Sequence, residues 1–262
     1  MSFASIVAAA HPLDDGEGFR AEVPDSWLQG RTAYGGVSAA LALEAAKRLG
    51  GELPPLRSAQ IAFVGPVSGE VRVLPRELRR GRNATWMSVE IVGEGGVGLV
   101  GTFVFMQALP STVQVQAPAP PPELIRPEDA AVADSELRPA FLRHNFETRY
   151  ALPKAEGKTA DVCLWVRLID PNGLAPDTEI LLVGDGLPPA VLPVMEQRGP
   201  VSSMTWQVNL LGCDQTSSAG GWWLLRSTAD QAAAGNSSQA MMLWAQDGTA
   251  KAAGTQSVAV FA

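Results

Sequence analysis

Only two cysteines and two histidines occur among the 262 residues of this chain. Cys163 and Cys213 are too far apart for a CxxC redox pair and too few for a cysteine-rich zinc site, and such sparse thiol content suits a reducing cytoplasm. His11 falls in a loop-like N-terminal segment and His144 in RHNFETR, ahead of an apolar run. A hydrolytic triad needs a base held against its nucleophile, and hydrolytic metal sites usually use several histidines. Neither requirement is met, so no metal or other cofactor is expected. Positive charge is short as well: 20 Lys and Arg stand against 27 Asp and Glu, for a net charge of −7. No broad basic surface can then face a phosphate backbone, and nucleic acid is not an expected partner. No stretch approaches the ~20 apolar residues that span a bilayer, and the start MSFASIVAAAHPLDD has no basic region before its apolar stretch. The expectation is a protein neither exported nor membrane-bound.

Familiar motifs are missing or misplaced. GVSAA at 36–40 lacks the second glycine of GxSxG, which leaves Ser38 as a small residue on a helix face. GEGGVG at 93–98 fits GxGxxG, but it lies between the strand-like runs SVEIV and LVGTFVF. That fingerprint works only where a helix N-terminus receives the pyrophosphate, so these residues read as a hairpin turn. Cys213, in LGCDQT, has no base predicted beside it and is not expected to act as a nucleophile.

What the sequence does contain is a repeat. Residues 109–138 are rich in proline, alanine and acidic residues and show no apolar period, which is linker composition. They separate residues 1–108 from 139–262, and each side brings a helix candidate followed by strand candidates. The first helix candidate runs from Ala33 to Leu49 and stops at Gly50 and Gly51. The second runs from about Gly184 to Met195, with Pro188 and Pro189 tolerable only in a first turn. SAQIAFVG, EVRVLPREL, TWMSVEIVG and GLVGTFVFMQ follow the first; SSMTWQVNLL, WWLLRSTAD, SSQAMMLWAQ and GTQSVAVFA follow the second. At a constant offset of 153, Asn83 falls on Asn236, Glu94 on Asp247, Gly95 on Gly248, Gly101 on Gly254 and Thr102 on Thr255. This is an internal duplication. One sheet wrapped around one helix leaves an edge strand unpaired, so the two copies are expected to join edge to edge in a single α+β body.

The segments GRTAYGGVSAALALEAAKRL and LRSAQIAFVGPVSGEV resemble the first half of the acyl-CoA thioesterase II family, whose fold is a double hotdog. CLWVRLIDPNGLAPDTEILLVGDGLPPAVL, SSMTWQVNLL and WLLRSTADQAAAGNSSQAMMLWAQDGTAKAAGTQ resemble its second half in the same order. The likeness spans nearly the whole chain apart from the first twenty residues and the linker. It implies one continuous sheet around two central helices, an acyl-CoA substrate, and a homodimer or larger assembly. It also implies a catalytic set made of an Asp at the start of the second helix, a Thr or Ser near the start of the next strand, and a Gln in the last strand. Here these are Asp185, Ser203 and Gln256, with Ser203 where Thr is usual and Thr205 two residues on.

The residues also carry plainer readings. Asp185, placed where a helix is expected to begin, suits an N-cap. Gln256 alternates with Val258 and Val260 and therefore points into an apolar face, where a buried amide needs partners. Ser203 heads a polar stripe with Thr205, Gln207 and Asn209, opposite Met204, Trp206, Val208 and Leu210, which suits a solvent-facing or subunit-facing surface as well as catalysis. The expected reaction is direct hydrolysis. Asp185 deprotonates a water held by Ser203 and Gln256, and a backbone N–H at the second helix start stabilises the oxyanion. Gly184 and Gly186 let backbone donors approach the thioester or simply serve the turn. Arg82, in the cluster Arg76, Arg79, Arg80 and Arg82, meets the CoA phosphates or sits on a solvated hairpin. Two other outcomes stay open: a catalytically silent acyl-CoA-binding hotdog protein, and an enoyl-CoA hydratase with an Asp–His pair. One active centre per chain is expected, because Tyr34, Gly35 and Gly36 stand where the second half has Gly184, Asp185 and Gly186.

Overall fold

A computed structural model of the chain describes residues 1–14, 16, 18–133, 138–154, 156–197, 199–212 and 215–261. Cys213 lies outside the described residues. The first half of the chain forms α1 (Phe3–Ala9), β1 (His11–Pro12), β2 (Phe19–Val23), β3 (Leu28–Gln29), β4 (Thr32–Ala33), α2 (Gly35–Gly50), β5 (Leu56–Phe63), β6 (Gly69–Arg80), β7 (Ala84–Gly93) and β8 (Gly96–Met106). The second half forms α3 (Ala140–Asn145), β9 (Phe146–Tyr150), β10 (Asp161–Leu168), α4 (Pro176–Gly184), β11 (Val201–Leu210), β12 (Trp223–Ala233), β13 (Asn236–Ala245) and β14 (Ala250–Val260). Residues 93–96 turn tightly between β7 and β8, as the flanking strand patterns require.

Twelve strands make one sheet in the order β1, β2, β6, β7, β8, β5, β11, β14, β13, β12, β10, β9, and β3 pairs with β4 apart from it. Each neighbouring pair is antiparallel. The halves meet edge to edge where β5 pairs β11, so the two edges that each half would otherwise expose satisfy one another. Gln60 faces Gln207 at the middle of this seam, on the pseudo-twofold axis that relates the halves. The repeat extends to a backbone irregularity. Register slips between Leu56 and Ser58 where β5 meets β8, and between Ser203 and Thr205 where β11 meets β14. Each slip is a bulge, with one residue more on its strand than on the partner.

Pairing also corrects the ungapped overlay. Gly101 and Gly254 do correspond, as do Phe103 and Gln256, but Phe103 faces Met87 whereas Gln256 faces Gln239. The second hairpin therefore holds one residue more than the first, and the counterpart of Asn236 is Ala84 rather than Asn83.

Two helices fill the inner side. In α2, Ala- and Leu-rich sequence gives high helix propensity and lets the helix be buried nearly all round, and Gly51 ends it at φ +64° with its N–H on Lys47 O. The second helix is not the one expected. It spans Pro176–Gly184, with proline in its first turn and Asp177 and Glu179 at its positive end. Asp185 therefore caps its C-terminus and does not begin it, while Leu192–Val194 forms only a 3-10 turn. The helices run antiparallel: Tyr34 Oη donates to Leu182 O at 2.9 Å at one end, and Lys47 Nζ meets Asp177 Oδ1 at 2.5 Å at the other. No helix among the described residues is long and apolar enough to cross a membrane.

The proline-rich stretch is more than a spacer. Trp244 Nε1 donates to Pro118 O at 2.9 Å and Trp165 Nε1 to Ile125 O at 2.7 Å. Leu124, Ile125 and Ala130 then cover Trp165, Trp222 and Trp244 on the outer face of the second half. Extended backbone with free carbonyls suits this role, because indole N–H groups need acceptors when buried.

Candidate active site

The antiparallel helix pair brings the C-terminal cap of α4 against the first turn of α2. Asp185 is half-buried there. Its Oδ1 accepts from Gln256 Nε2 at 2.6 Å, and the backbone N–H of Gly36 acts on the same carboxyl as a donor. Burial pushes the carboxyl up to about 7, against the pull of the Gln256 amide and the Gly36 N–H toward the charged form. Such closeness depends on glycine. A Cβ on Gly35 would collide with Asp185 Oδ2, and one on Gly36 would lie 2.6 Å from Leu182 O. In sequence, Gly35 and Gly36 read only as part of a helix start. Two glycines opening an otherwise Ala- and Leu-rich helix were the available signal.

Gln256 faces inward from β14, as its alternation with Val258 predicts. Its amide is satisfied at both ends, since Oε1 accepts from Gln239 Nε2 at 2.8 Å. Gln239 Oε1 accepts in turn from the N–H of Ala190 at 2.9 Å. Sequence reasoning missed Gln239, although it carries the same signal as Gln256: a glutamine in the inward phase of a strand, alternating with Ser237 and Met241.

Ser203 is where the register bulge matters. Plain alternation groups it with Thr205, Gln207 and Asn209, all exposed. The slip at Met204 instead sets Ser203 opposite the fully buried Val258, and Thr205 opposite the outward Ser257. Ser203 thus leaves the polar stripe and joins the inner face with Trp206 and Gln256. No side-chain hydrogen bond links it to Asp185 or Gln256 among the described residues.

Gly184 and Gly186 have packing reasons for being glycine. A Cβ on Gly184 would lie 3.1 Å from the Trp206 ring, and one on Gly186 2.8 Å from Val183 O. Arg82 is not brought to Asp185. It is exposed in the turn after β6, next to Arg80, which donates to Gly50 O at 2.9 Å at the C-terminal end of α2. Asp185 sits at the opposite end of that 16-residue helix, about 24 Å away along its axis. The donor end facing the carboxyl belongs to α2, so the expected backbone donors at a second helix start are also misplaced.

Next to Asp185, between α4 and the inner face of the second half, lies a small apolar crevice. Ile180, Gly184, Leu187, Trp206, Leu225 and Met241 are among its walls. In the first half the Phe103 ring lies within 3.0 Å of where a Cβ on Gly101 would be. His11 and His144 are exposed, and neither pairs with Asp185. No grouping of three His, Cys, Asp or Glu side chains suited to a metal occurs among the described residues.

Two family models match the two halves of the chain. An acyl-CoA thioesterase N-terminal domain matches residues 23–106, and an acyl-CoA thioesterase C-terminal domain matches residues 118–260. Among solved structures, a conserved hot dog protein of unknown function from Alicyclobacillus acidocaldarius is 21% identical with a TM-score of 0.87, covering 100% of this chain and 98% of its own. The tesB protein of Mycobacterium avium subs paratuberculosis is 18% identical with a TM-score of 0.79, covering 100% of both chains. An acyl-CoA thioesterase II, TesB2, from Mycobacterium marinum is 19% identical with a TM-score of 0.72, covering 100% of this chain and 97% of its own. Identities of this size establish a shared hotdog fold. No curated protein matches the sequence.

Proposed function

Because the chain belongs to the acyl-CoA thioesterase family, we propose that it hydrolyses an acyl-CoA thioester to the free acid and CoA, with Asp185 as general base toward water. The observation that carries this reading is a half-buried carboxyl held at about 7 between a side-chain amide and the opening turn of a helix. A base poised near neutral pH combines the right protonation state with useful driving force. Water adds to the thioester carbonyl as Asp185 takes its proton. The tetrahedral intermediate then expels the CoA sulfur, which recovers that proton from Asp185. Gln256 holds the carboxyl in position, Ser203 on the same inner face holds the water, and the positive end of α2 favours the developing oxyanion. The apolar walls of the crevice suit the acyl chain.

The test is thiol release from a panel of acyl-CoAs of graded chain length. Asp185→Asn keeps an acceptor for Gln256 but cannot take a proton, and is expected to lose about a thousandfold in kcat. Equal rates in the variant and the wild type would remove Asp185 as the base. Saturable acyl-CoA binding with no thiol release from any substrate would instead favour a silent binding protein.

A further inference from the structure

Four groups form one chain of hydrogen bonds into the carboxyl: Ala190 N–H to Gln239 Oε1 at 2.9 Å, Gln239 Nε2 to Gln256 Oε1 at 2.8 Å, and Gln256 Nε2 to Asp185 Oδ1 at 2.6 Å. Side-chain amides can turn over, so their direction must be argued from a neighbour that cannot. The Ala190 backbone N–H is such a neighbour, because it only donates. It requires the Gln239 carbonyl to face it, which turns the Gln239 NH₂ toward Gln256. That in turn draws the Gln256 carbonyl and leaves the Gln256 NH₂ aimed at Asp185. Both amides are buried, Gln239 at 1% and Gln256 at 4% exposure, so water offers neither an alternative partner.

We infer that Gln239 is a positioning residue, which fixes the direction of the Gln256 amide so that it presents N–H, and never C=O, to the catalytic carboxylate. This rests on the reading of Asp185 as the base. A reversed Gln256 would set its carbonyl dipole against the ionised form and favour the protonated acid. The other groups facing Asp185 do not set this direction. From α2 they are the Gly36 N–H and the buried phenol of Tyr34, whose hydroxyl is committed to Leu182 O. No other titratable side chain pairs with Asp185 among the described residues. In the first half, where no carboxylate has to be oriented, the residue opposite Phe103 is Met87.

Two substitutions separate direction from packing. Gln239→Met is close in volume and places the first half's residue at this position. It frees Gln256 to turn, so Asp185 should titrate about one pH unit higher, read by ¹³C NMR of the labelled carboxyl. Thiol release should fall about fivefold at pH 7 and little at pH 9, with KM unchanged. Gln239→Glu keeps the shape. Its protonated form still donates to Gln256 as glutamine does, whereas its ionised form can only accept and reverses the amide. The ionised glutamate also adds a second negative charge to the same network, so the rising limb of its rate profile should move to higher pH than in Gln239→Met. A folded Gln239→Met protein with an unshifted Asp185 titration would overturn the inference, as would a wild-type profile in Gln239→Glu. The NMR titration needs no turnover. If wild-type protein releases no thiol but Asp185 still shifts in Gln239→Met, the proposed hydrolysis fails while the orienting role stands.

Discussion

The two halves of the sheet share strand order and a bulge at matching positions, yet their inner faces carry opposite chemistry. Where the first half has Leu56, Met87 and Phe103, the second has Ser203, Gln239 and Gln256. In the first half α2 lies directly on β6, β7 and β8 and the Phe103 ring fills the space over Gly101. In the second, α4 leaves a crevice over Gly254, and Gln239, Gln256 and Asp185 satisfy one another through the amide chain. Burying an unpaired amide costs roughly 1–3 kcal/mol, and a lone carboxylate costs more. Duplication lets these burdens fall on one copy while the other supplies ordinary apolar packing. The site still needs both, since the carboxyl comes from the second half and the helix N-terminus facing it from the first.

The sharpest way to break this comparison is to make the halves alike. Phe103→Gln puts the second half's residue into the first, where no amide partner waits. Lost aromatic burial and an unpaired amide together should cost about 4 kcal/mol or more in urea unfolding, without adding activity. A stability change below about 1 kcal/mol would mean the first half tolerates the polar set, and the division of roles would fall. A smaller effect tests the bulge. Ser203→Ala should reduce kcat about tenfold, whereas Thr205→Ala, on the outer face, should change it less than about twofold. The reverse ranking would show that the register slip does not select the hydroxyl.

Much of this was legible in the sequence because it repeats. Strand alternation gave the sheet, the offset between Gly101 and Gly254 gave the duplication, and Gln256 in an apolar phase gave the buried amide. The second helix was misplaced because GDGLPP has the look of an N-cap followed by first-turn prolines. The true start, APDTE, has equally good signals in Pro176, Asp177 and Glu179. The error moved the helix by about its own length while leaving Asp185 at the centre of the site. Plain alternation groups Ser203 with the outer stripe because a bulge resets alternation at one residue and leaves no trace in composition. The contact between Asp185 and the start of α2 is long-range, made by two helices meeting antiparallel, and no local pattern reports it. Arg82 stands out in the sequence by charge alone, and charge does not say which end of a helix a hairpin will reach.

If the ionised form of Asp185 drives the reaction, the most direct measurement is the pH dependence of kcat/KM for thiol release between pH 5 and pH 9. Because the folded carboxyl is held up at about 7, the rate should rise about tenfold per pH unit below 7 and level off above it. A rate already at its plateau near pH 5 would contradict this role, since a carboxylate ionised that early is not held at about 7.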